Sequence, residues 1–306
     1  MLSAAAGAHR RPVSAVHRRA PAGASGTIWI GGELQVNRIG LGTAEFVGPN
    51  RWGMPSDPRA IRELLRRAVE LGINLIDTAD VYGPGAAETL IYAALFPYPK
   101  DLVISSKGGQ THDVPGAPNA IDARPEQLRA ACEGSLKRLR LERIPLYYLH
   151  SPDPKVPLED SVGALVQLQK DGKIGHIGLS NIDLSQLAKA RSEAKIVAVQ
   201  STFNAVSRKS NDFVALCEKD HIAFIPNTPL GMRSGHTLDP ADSRVAGLQK
   251  LADQHHVSLA QAVLAWELAL SPILLPIPGT TQIAHLEEDV AAAKVHFSRQ
   301  ELRELG

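Results

Sequence analysis

Short apolar runs alternate with amphipathic, helix-like stretches along most of this chain, and this alternation limits the fold more than any other feature of the sequence. Each run is four to six residues long and is rich in Val, Ile and Leu. Nearly continuous apolar runs of this length are typical of parallel strands that are covered on both faces. Eight such runs lie at residues 38–41, 73–76, 102–106, 144–149, 174–179, 196–200, 222–225 and 273–277.

The stretches between these runs have the period of an α-helix. In residues 57–71, apolar side chains recur at positions i, i+3, i+4 and i+7, with Pro58 near the start and Gly72 after the end. Further along the chain, Ser258 and Gln261 have the spacing of a capping box at the start of another helix. Strands that alternate with helices in this way predict an α/β fold.

Eight strands fit a closed barrel better than an open sheet. Without residues 1–25, which differ in composition, the chain has about 280 residues. This length is close to the ~250 residues that are typical of one (β/α)8 barrel. Residues 27–36 precede the first strand and contain two short apolar runs around Gly31-Gly32, which predicts a β-hairpin. The predicted fold class is therefore α/β, a (β/α)8 TIM barrel with a short N-terminal β-hairpin, forming one domain over residues 26–306.

Residues 1–25 differ in composition from the rest of the chain. They are rich in Ala, Ser and Arg, and residues 1–32 contain four arginines but no acidic residue. A mitochondrial-type transit peptide has this composition, and so does a disordered tail or a translated upstream sequence. We expect residues 1–25 to be a disordered or non-native extension that takes no part in the fold.

Charge, hydropathy and cysteine content exclude several classes of protein. The net charge of +1 gives no electrostatic basis for nucleic-acid binding, and no run reaches the ~18 apolar residues of a membrane span. Cys132 and Cys217 are too few for a disulfide framework, so we expect buried free thiols in a reducing compartment such as the cytoplasm. No histidine or cysteine spacing is typical of a metal site, and no metal is expected.

Polar residues gather at the C-terminal ends of the predicted strands. They are Asp77, Lys107, His150, Ser180, Asn181 and Gln200. In a barrel of parallel strands these ends share one face, where the active sites of such barrels lie. Tyr82 follows Asp77 by five residues, in the loop after the same strand. The sequence thus predicts that Asp77, Tyr82, Lys107 and His150 meet at one barrel mouth.

These four side chains are suited to the reduction of a carbonyl group. When hydride reaches a carbonyl carbon, the oxygen gains charge and an acid must supply a proton. Tyrosine has a free pKa of ~10, and we expect the neighbouring Lys107 ammonium to lower the pKa of Tyr82. Asp77 can pair with Lys107, and His150 can donate a hydrogen bond to the carbonyl oxygen. Each residue taken alone also has an ordinary structural explanation, but the four together favour the catalytic one.

The sequence resembles the aldo-keto reductase superfamily through seven motifs in the family's order: GINLIDTADVYG, SSKGG, YYLHSPD, GKIGHIGLSN, VQSTFN, IPNTPLG and LLPIPGTT. The resemblance covers about residues 27–305. It implies a (β/α)8 barrel that binds NAD(P)H across its mouth and reduces small-molecule aldehydes and ketones. It also implies that Asp77, Tyr82, Lys107 and His150 are the catalytic residues, with Tyr82 as the proton donor.

The resemblance further implies a set of cofactor-binding residues, for NADPH in the first place and NADH as the alternative. In the family, groups like Ser180, Asn181 and Gln200 hold the nicotinamide carboxamide, an amide with two donors and one acceptor for side chains to bind. Backbone amides at the start of the helix after Gly279 would meet the adenosine end. The candidates are Gly42, Thr43, Ala44, Asp77, Ser180, Asn181, Gln200, Asn227, Leu230, Gly231, Arg233, Gly279, Thr280, Thr281, His285, Glu288 and Asp289.

Two positions depart from the family pattern. Asn227 stands where the family usually has an aromatic residue that stacks on the nicotinamide. Residues 279–289 contain neither Lys nor Arg, one of which normally meets the 2′-phosphate of NADPH. His285 lies near that position, but a neutral imidazole is a weaker phosphate partner than arginine. These residues weaken the preference for NADPH that the resemblance implies.

Two other classes of function stay open on the sequence. A cofactor-binding regulatory barrel with slow turnover would retain the same four catalytic residues, and Asn227 favours it. A barrel lyase or hydrolase would need an acid–base pair and no nicotinamide. We expect residues 108–124 and 231–241 to border the substrate pocket, and the protein to be a monomer or a weak homo-oligomer.

Overall fold

The computed structural model describes residues 10–207, 210–231 and 242–305. The strands in these ranges are β1 Thr27–Ile30, β2 Leu34–Asn37, β3 Leu41–Gly42, β4 Leu75–Asp77, β5 Val103–Gly108, β6 Gln110–Thr111, β7 Ala120–Ile121, β8 Ile144–Leu149, β9 Ile174–Ser180, β10 Ile196–Ser201 and β11 Ala223–Pro226. The helices are α1 Ala15–Arg19, α2 Pro58–Glu70, α3 Ala86–Leu95, α4 Pro125–Leu139, α5 Leu158–Lys170, α6 Leu184–Glu193, α7 Asn211–Lys219, α8 Ser243–His255, α9 Leu259–Leu270, α10 Ile283–Ala291 and α11 Arg299–Glu304.

Seven of the strands form one curved parallel sheet in the order β11-β10-β9-β8-β5-β4-β3. Every residue of β5, β8 and β9 is buried, because one face of the sheet is covered by helices and the other faces the barrel interior. This burial on both faces explains why the strands appear in the sequence as continuous apolar runs. The parallel arrangement also places the C-terminal ends of all seven strands on one side of the molecule.

Residues 273–278, which contain the predicted eighth strand, complete the barrel without forming a regular strand. Their carbonyl groups accept hydrogen bonds from the β3 side, from Gly40 to Pro276 at 3.0 Å and from Gly42 to Pro278 at 3.1 Å. On its other side the same segment bonds to β11. Pro276 and Pro278 have no N–H group to donate, so a regular ladder is not formed. The predicted (β/α)8 barrel is confirmed with this one difference.

Helix α2 shows how local sequence sets the bounds of an element. Its N-cap is Asp57, whose carboxylate accepts hydrogen bonds from the backbone N–H groups of Arg59 and Ala60, both at 3.0 Å. Pro58 occupies the first helical position, and Gly72 follows the end with a φ of +91°. The buried residues are Ile61, Leu64, Leu65 and Ala68. They are the stripe that the sequence predicts.

The predicted hairpin is formed by β1 and β2, which pair in antiparallel register. Gly31 and Gly32 make the turn with φ values of +65° and +82°, a conformation that glycine adopts without steric cost. Ile30, Leu34 and Val36 pack in one buried cluster with residues from the starts of the barrel strands. The hairpin therefore closes the N-terminal end of the barrel, opposite the strand ends that carry the candidate site.

Residues 10–25 differ from the prediction of a disordered or non-native extension, because they pack against the barrel. Val13 and Ala22 are only 1% and 0% exposed. The buried His17 ring pairs with Asp101, with 2.8 Å between Nδ1 and Oδ2. An Ala- and Arg-rich composition does not reveal such contacts, since a few small apolar residues and one buried side-chain hydrogen bond are enough to hold a short segment.

The structure also bears on membrane-spanning helices, metal sites and free thiols. In the described ranges the longest helix, α4, has 15 residues, and no helix combines the length and apolar character needed to cross a bilayer. Within the same ranges no three His, Cys, Asp or Glu side chains are grouped so that they could hold a metal ion. Cys132 and Cys217 are free and buried, as the sequence predicts.

Candidate active site

The four predicted catalytic residues come together at the C-terminal ends of neighbouring strands. Asp77 is the last residue of β4, Tyr82 lies in the loop that follows, Lys107 lies in β5, and His150 directly follows β8. Asp77, Tyr82 and His150 line a cavity of about 450 Å³ at this end of the barrel. Lys107 is 0% exposed and reaches the cavity through its contacts with two of these residues.

The Lys107 ammonium is held by three oxygen atoms. Its Nζ donates to Asp77 Oδ2 at 2.5 Å, to the carbonyl oxygen of Thr78 at 2.8 Å, and to Tyr82 Oη at 3.4 Å. An ammonium group has three protons, so this set of acceptors uses its full donor capacity. These three bonds therefore fix the Lys107 ammonium group in one position, next to the Tyr82 hydroxyl.

Asp77 is itself fixed through its second carboxylate oxygen. Oδ1 accepts hydrogen bonds from Ser105 Oγ at 2.8 Å and from Gln200 Nε2 at 3.1 Å. Asp77 thus joins β4 to β5 and β10 beneath the cavity. The carboxylate that pairs with Lys107 cannot turn away without breaking bonds to two other strands.

Burial and the charge of Lys107 act in opposite directions on the pKa of Tyr82. Removal of the hydroxyl from water raises the pKa of Tyr82, the Lys107 ammonium lowers it, and the Asp77 carboxylate raises it again. The net pKa of Tyr82 is higher than usual, so the predicted lowering by Lys107 is present but is outweighed by burial. Tyr82 consequently keeps its proton at neutral pH, which is what its predicted role requires.

Lys107 keeps its charge despite complete burial. Desolvation alone would lower the pKa of Lys107, but the Asp77 carboxylate and the Tyr82 hydroxyl favour the ammonium, and the pKa is raised overall. A buried cation without such partners would be strongly disfavoured. The positive charge next to Tyr82 is therefore a permanent feature of the site.

His150 is neutral in this environment. Desolvation, with repulsion from the Lys107 ammonium, holds the pKa of His150 well below its usual range. Its ring meets the Tyr82 ring edge to face, with 6.0 Å between the centroids and an interplanar angle of 84°. Its Nδ1 is buried and has no hydrogen-bond partner among the described residues. A neutral imidazole carries one N–H, which it can donate to a bound carbonyl group.

The structure places most of the predicted cofactor-binding residues around the same cavity. Gly231, Glu288 and Asp289 are not among the lining residues, and Arg233 lies outside the described ranges. Asp289 faces the protein interior, since it is buried with Leu286 on the inner side of α10. The predicted residues that do line the cavity are Gly42, Thr43, Ala44, Asp77, Ser180, Asn181, Gln200, Asn227, Leu230, Gly279, Thr280, Thr281 and His285.

Two of the predicted amide side chains already bind protein groups through their NH₂ ends. Asn181 Nδ2 donates to the carbonyl oxygen of His150 at 2.8 Å, and Gln200 Nε2 donates to Asp77. In the described residues their carbonyl oxygens accept no side-chain or backbone hydrogen bond. Both residues thus offer a carbonyl oxygen as an acceptor to a ligand, and Gln200 has a second N–H that is not used in the bond to Asp77.

The start of α10 supplies donors at the far side of the cavity. Gln282 is the N-cap residue and makes no side-chain capping bond, and Gln282, Thr280 and Thr281 all line the cavity. The first N–H groups of an uncapped helix have no intrahelical partner and carry partial positive charge. A phosphate group can bind at such a helix end.

Arg51 and Glu45, in the loop after β3, line the cavity without a counterpart among the predictions. Gln110 and Asn119 also line it, and they come from the segment 108–124 that is expected to border the substrate pocket. Of the other expected segment, 231–241, Gly231 is not among the lining residues and residues 232–241 lie outside the described ranges. Gln110 and Asn119 are joined to each other at 2.9 Å, and Gln110 also donates to Ser151 Oγ at 2.7 Å. All four lining residues lie in the segments that connect the strands of the large parallel sheet, and the positions of these segments depend on the folded barrel. In the sequence, only the position of these residues after predicted strand ends indicates that they could line the cavity.

Comparison with known proteins agrees with this geometry. The family model described as "Aldo/keto reductase family" matches residues 38–306. An uncharacterized oxidoreductase of Schizosaccharomyces pombe is 39% identical over 276 residues, which cover 90% of this chain and 87% of that protein. Pyridoxine 4-dehydrogenase of Escherichia coli is 36% identical over 283 residues, which cover 90% of this chain and 95% of that protein.

Solved structures show the same architecture. The glycerol dehydrogenase of Gluconobacter oxydans superposes with a TM-score of 0.80 at 28% identity, covering 92% of this chain and 94% of that one. An aldo/keto reductase of Klebsiella pneumoniae, solved in complex with NADP and acetate, superposes with a TM-score of 0.76 at 26% identity, covering 91% and 93%. By sequence, fold and the arrangement of its barrel mouth, the chain belongs to the aldo/keto reductase family.

Proposed function

We propose that this protein reduces an aldehyde or a ketone to the alcohol, with hydride from NADPH and a proton from Tyr82. The observation that carries the proposal is the position of the Lys107 ammonium, 2.5 Å from the Asp77 carboxylate and 3.4 Å from the Tyr82 hydroxyl. This arrangement gives a protonated acid next to a fixed cation at the mouth of a barrel. NADPH, when bound, supplies the hydride that such a site needs.

The cavity fits a dinucleotide cofactor in its donors and acceptors. The uncapped start of α10 suits a phosphate, and the free carbonyl oxygens of Asn181 and Gln200 suit the NH₂ group of a carboxamide. The Klebsiella pneumoniae relative is described with NADP bound, which favours NADPH. Because no Lys or Arg lies between residues 279 and 289, NADH stays the alternative cofactor.

The protein's own groups account for the proton. As negative charge develops on the carbonyl oxygen, the Tyr82 hydroxyl gives up its proton, and the phenolate that remains is stabilised by Lys107. Asp77 keeps Lys107 in place during this change of charge. The neutral His150 donates a hydrogen bond to the same oxygen and orients it toward Tyr82. The burial that raises the pKa of Tyr82 also strengthens these interactions, because water does not screen them.

The test of this proposal is the Tyr82→Phe variant. We expect carbonyl reduction, followed as loss of NADPH absorbance at 340 nm, to fall by about three orders of magnitude or more, because the acid is lost. The affinity for NADPH, measured by quenching of tryptophan fluorescence, should change little. Tyr92→Phe is the control, since Tyr92 lies in α3 outside the cavity. Near-normal activity of Tyr82→Phe would remove Tyr82 from the role of proton donor.

The substrate panel for this assay includes aldehydes, ketones and, in the oxidative direction, pyridoxine and glycerol, the alcohols named in two of the relatives. Turnover of any carbonyl compound supports the proposal. Tight binding of NADPH without turnover on the whole panel would contradict it and would favour a cofactor-binding regulatory barrel instead.

A further inference from the structure

Arg51 places a cation at the substrate side of the cavity. It is the last residue of a short 3₁₀ turn, Pro49–Arg51, in the loop after β3, and it is half-buried. It lines the same cavity as Tyr82 and His150. Its guanidinium is near enough to the Tyr82 hydroxyl to oppose, together with Lys107, the rise in the pKa of Tyr82. The cation thus faces the space that a carbonyl substrate must enter.

Within the described residues, Arg51 has no anionic partner. Other arginines of the chain bind carboxylates, for example Arg67 with Glu287 at 2.7 Å and Arg138 with Glu88 at 2.6 Å. Glu45 also lines the cavity, but it is exposed and makes no ion pair with Arg51. A guanidinium group has five N–H donors in a planar fork that matches a carboxylate. The donors of Arg51 are available to a ligand.

The backbone of this turn adopts an unfavourable conformation to place Arg51. Asn50 and Arg51 have φ values of +56° and +59°, in the left-handed region that residues other than glycine rarely occupy. The turn is held from outside, because the N–H of Gly116 donates to the carbonyl oxygen of Asn50 at 3.0 Å. Next in sequence, Trp52 packs edge to face on His112, with ring centroids 5.4 Å apart. Backbone strain of this kind is found most often at functional sites.

We propose that Arg51 binds the carboxylate of the substrate, so that the preferred substrates are aldehydes or ketones that also carry a carboxylate group. This inference rests on the proposed carbonyl reduction and adds the class of substrate. A carboxylate fits better than a phosphate, because one guanidinium fork satisfies the two oxygens of a monoanion. A phosphate dianion would need more donors, and Glu45, which lines the same cavity, repels a dianion more strongly than a monoanion. Arg51 would contact a part of the substrate that does not react.

The experiment compares three aldehydes of one shape: 4-carboxybenzaldehyde, its neutral methyl ester, and 4-formylphenyl phosphate. We expect the wild-type protein to prefer the acid to the ester in kcat/KM. In Arg51→Asn, a residue that tolerates the left-handed conformation, the acid-to-ester ratio should fall by about 10- to 100-fold, as for loss of one charge-assisted hydrogen bond. The change should appear in KM for the acid rather than in kcat, because the lost contact is not at the reacting atoms.

Two further variants complete the test. Arg51→Lys keeps the charge but loses the fork, so it should show a smaller fall in the ratio. Arg59→Asn, which changes an exposed arginine of α2, should keep the wild-type ratio. Calorimetric binding of 4-carboxybenzaldehyde to the cofactor-free protein gives a readout without turnover, and we expect weaker binding by Arg51→Asn. Circular dichroism checks that each variant is folded.

The outcomes separate this inference from the proposed function. An acid-to-ester ratio that is the same in Arg51→Asn and wild type would overturn the role of Arg51, while reduction of the ester would still support carbonyl reduction. A preference for the phosphate that depends on Arg51 would overturn the assignment of a carboxylate. If the wild-type protein reduces no carbonyl compound, the proposed function fails, and calorimetry alone then decides whether Arg51 binds the carboxylate.

Discussion

Tyr82 shows how far the chemistry of one residue depends on its surroundings. The sequence predicts correctly that Lys107 lies next to it and that Asp77 holds Lys107. The pKa of Tyr82 is raised overall, whereas the sequence predicts that Lys107 lowers it. The difference arises because the walls of the folded cavity desolvate the hydroxyl. Charge partners can be inferred from motifs at strand ends, whereas the extent of burial cannot.

His285 is the residue on which cofactor choice can be tested. It lies on the first turn of α10, is exposed and lines the cavity. We expect His285→Arg to lower the Kd for NADPH by about tenfold, since a guanidinium forms a charge-assisted bond with a phosphate, and to leave the Kd for NADH nearly unchanged. Fluorescence quenching measures both constants. His296→Arg, on an exposed residue outside the cavity, is the matched control, and an equal effect on both cofactors would place His285 away from the 2′-phosphate.

The strands illustrate what an apolar run can and cannot reveal. Six of the eight predicted runs overlap β4, β5 and β8 to β11, although β4 begins two residues after the start of its run, and the first run shares only Leu41 with the two-residue β3. The eighth run has the right composition, but Pro276 and Pro278 remove the N–H groups that a ladder needs. Apolar character therefore locates a buried extended segment, and the hydrogen-bonding capacity of each residue decides whether it becomes a strand.

Helix α10 carries a buried carboxyl group whose effect on stability depends on pH. Burial, with repulsion from Glu288, raises the pKa of Asp289 to about 7. The unfolded chain ionises Asp289 near pH 4, so the folded state loses stability as pH rises from about 4 to about 7. We expect Asp289→Asn to be more stable than wild type by about 1–3 kcal/mol at pH 8, and to show no gain at pH 4.

Urea unfolding followed by tryptophan fluorescence at pH 4, 6 and 8 measures this difference. Glu287→Gln is the control, because Glu287 lies on the exposed side of the same helix and pairs with Arg67. A stability difference between Asp289→Asn and wild type that is the same at all three pH values would show that Asp289 is not protonated in the folded state.

For the whole molecule, the sequence predicts the barrel, its hairpin and the catalytic end, but not the parts that depend on contacts between distant segments. Arg51 and Glu45 line the cavity because the loop after β3 folds over the strand ends. Loop conformations have no periodic signal. Residues 10–25 escape prediction for a related reason, since their partners are Leu71, Asp101 and the hairpin.

The N-terminal segment should contribute to the stability of the entire barrel. We expect deletion of residues 1–25 to lower the free energy of unfolding by about 3 kcal/mol or more, relative to deletion of residues 1–9. The loss combines the burial of Val13 and Ala22 with the buried Asp101 carboxylate left without His17. Urea unfolding of the two deletion variants measures the difference. Equal stability of the two would show that residues 10–25 do not stabilise the barrel.

The way in which residues 273–278 meet β3 has a consequence for fluctuations of the barrel wall. In the described chain two backbone hydrogen bonds make this contact, whereas β8 and β9 are paired over five residues. The free energy needed to separate two neighbouring segments of the barrel transiently is lowest where the fewest hydrogen bonds have to break. Gly42, Ile277 and Pro278 belong both to this junction and to the cavity wall. We therefore expect local opening to be easier at this junction, beside the cavity, than between β8 and β9.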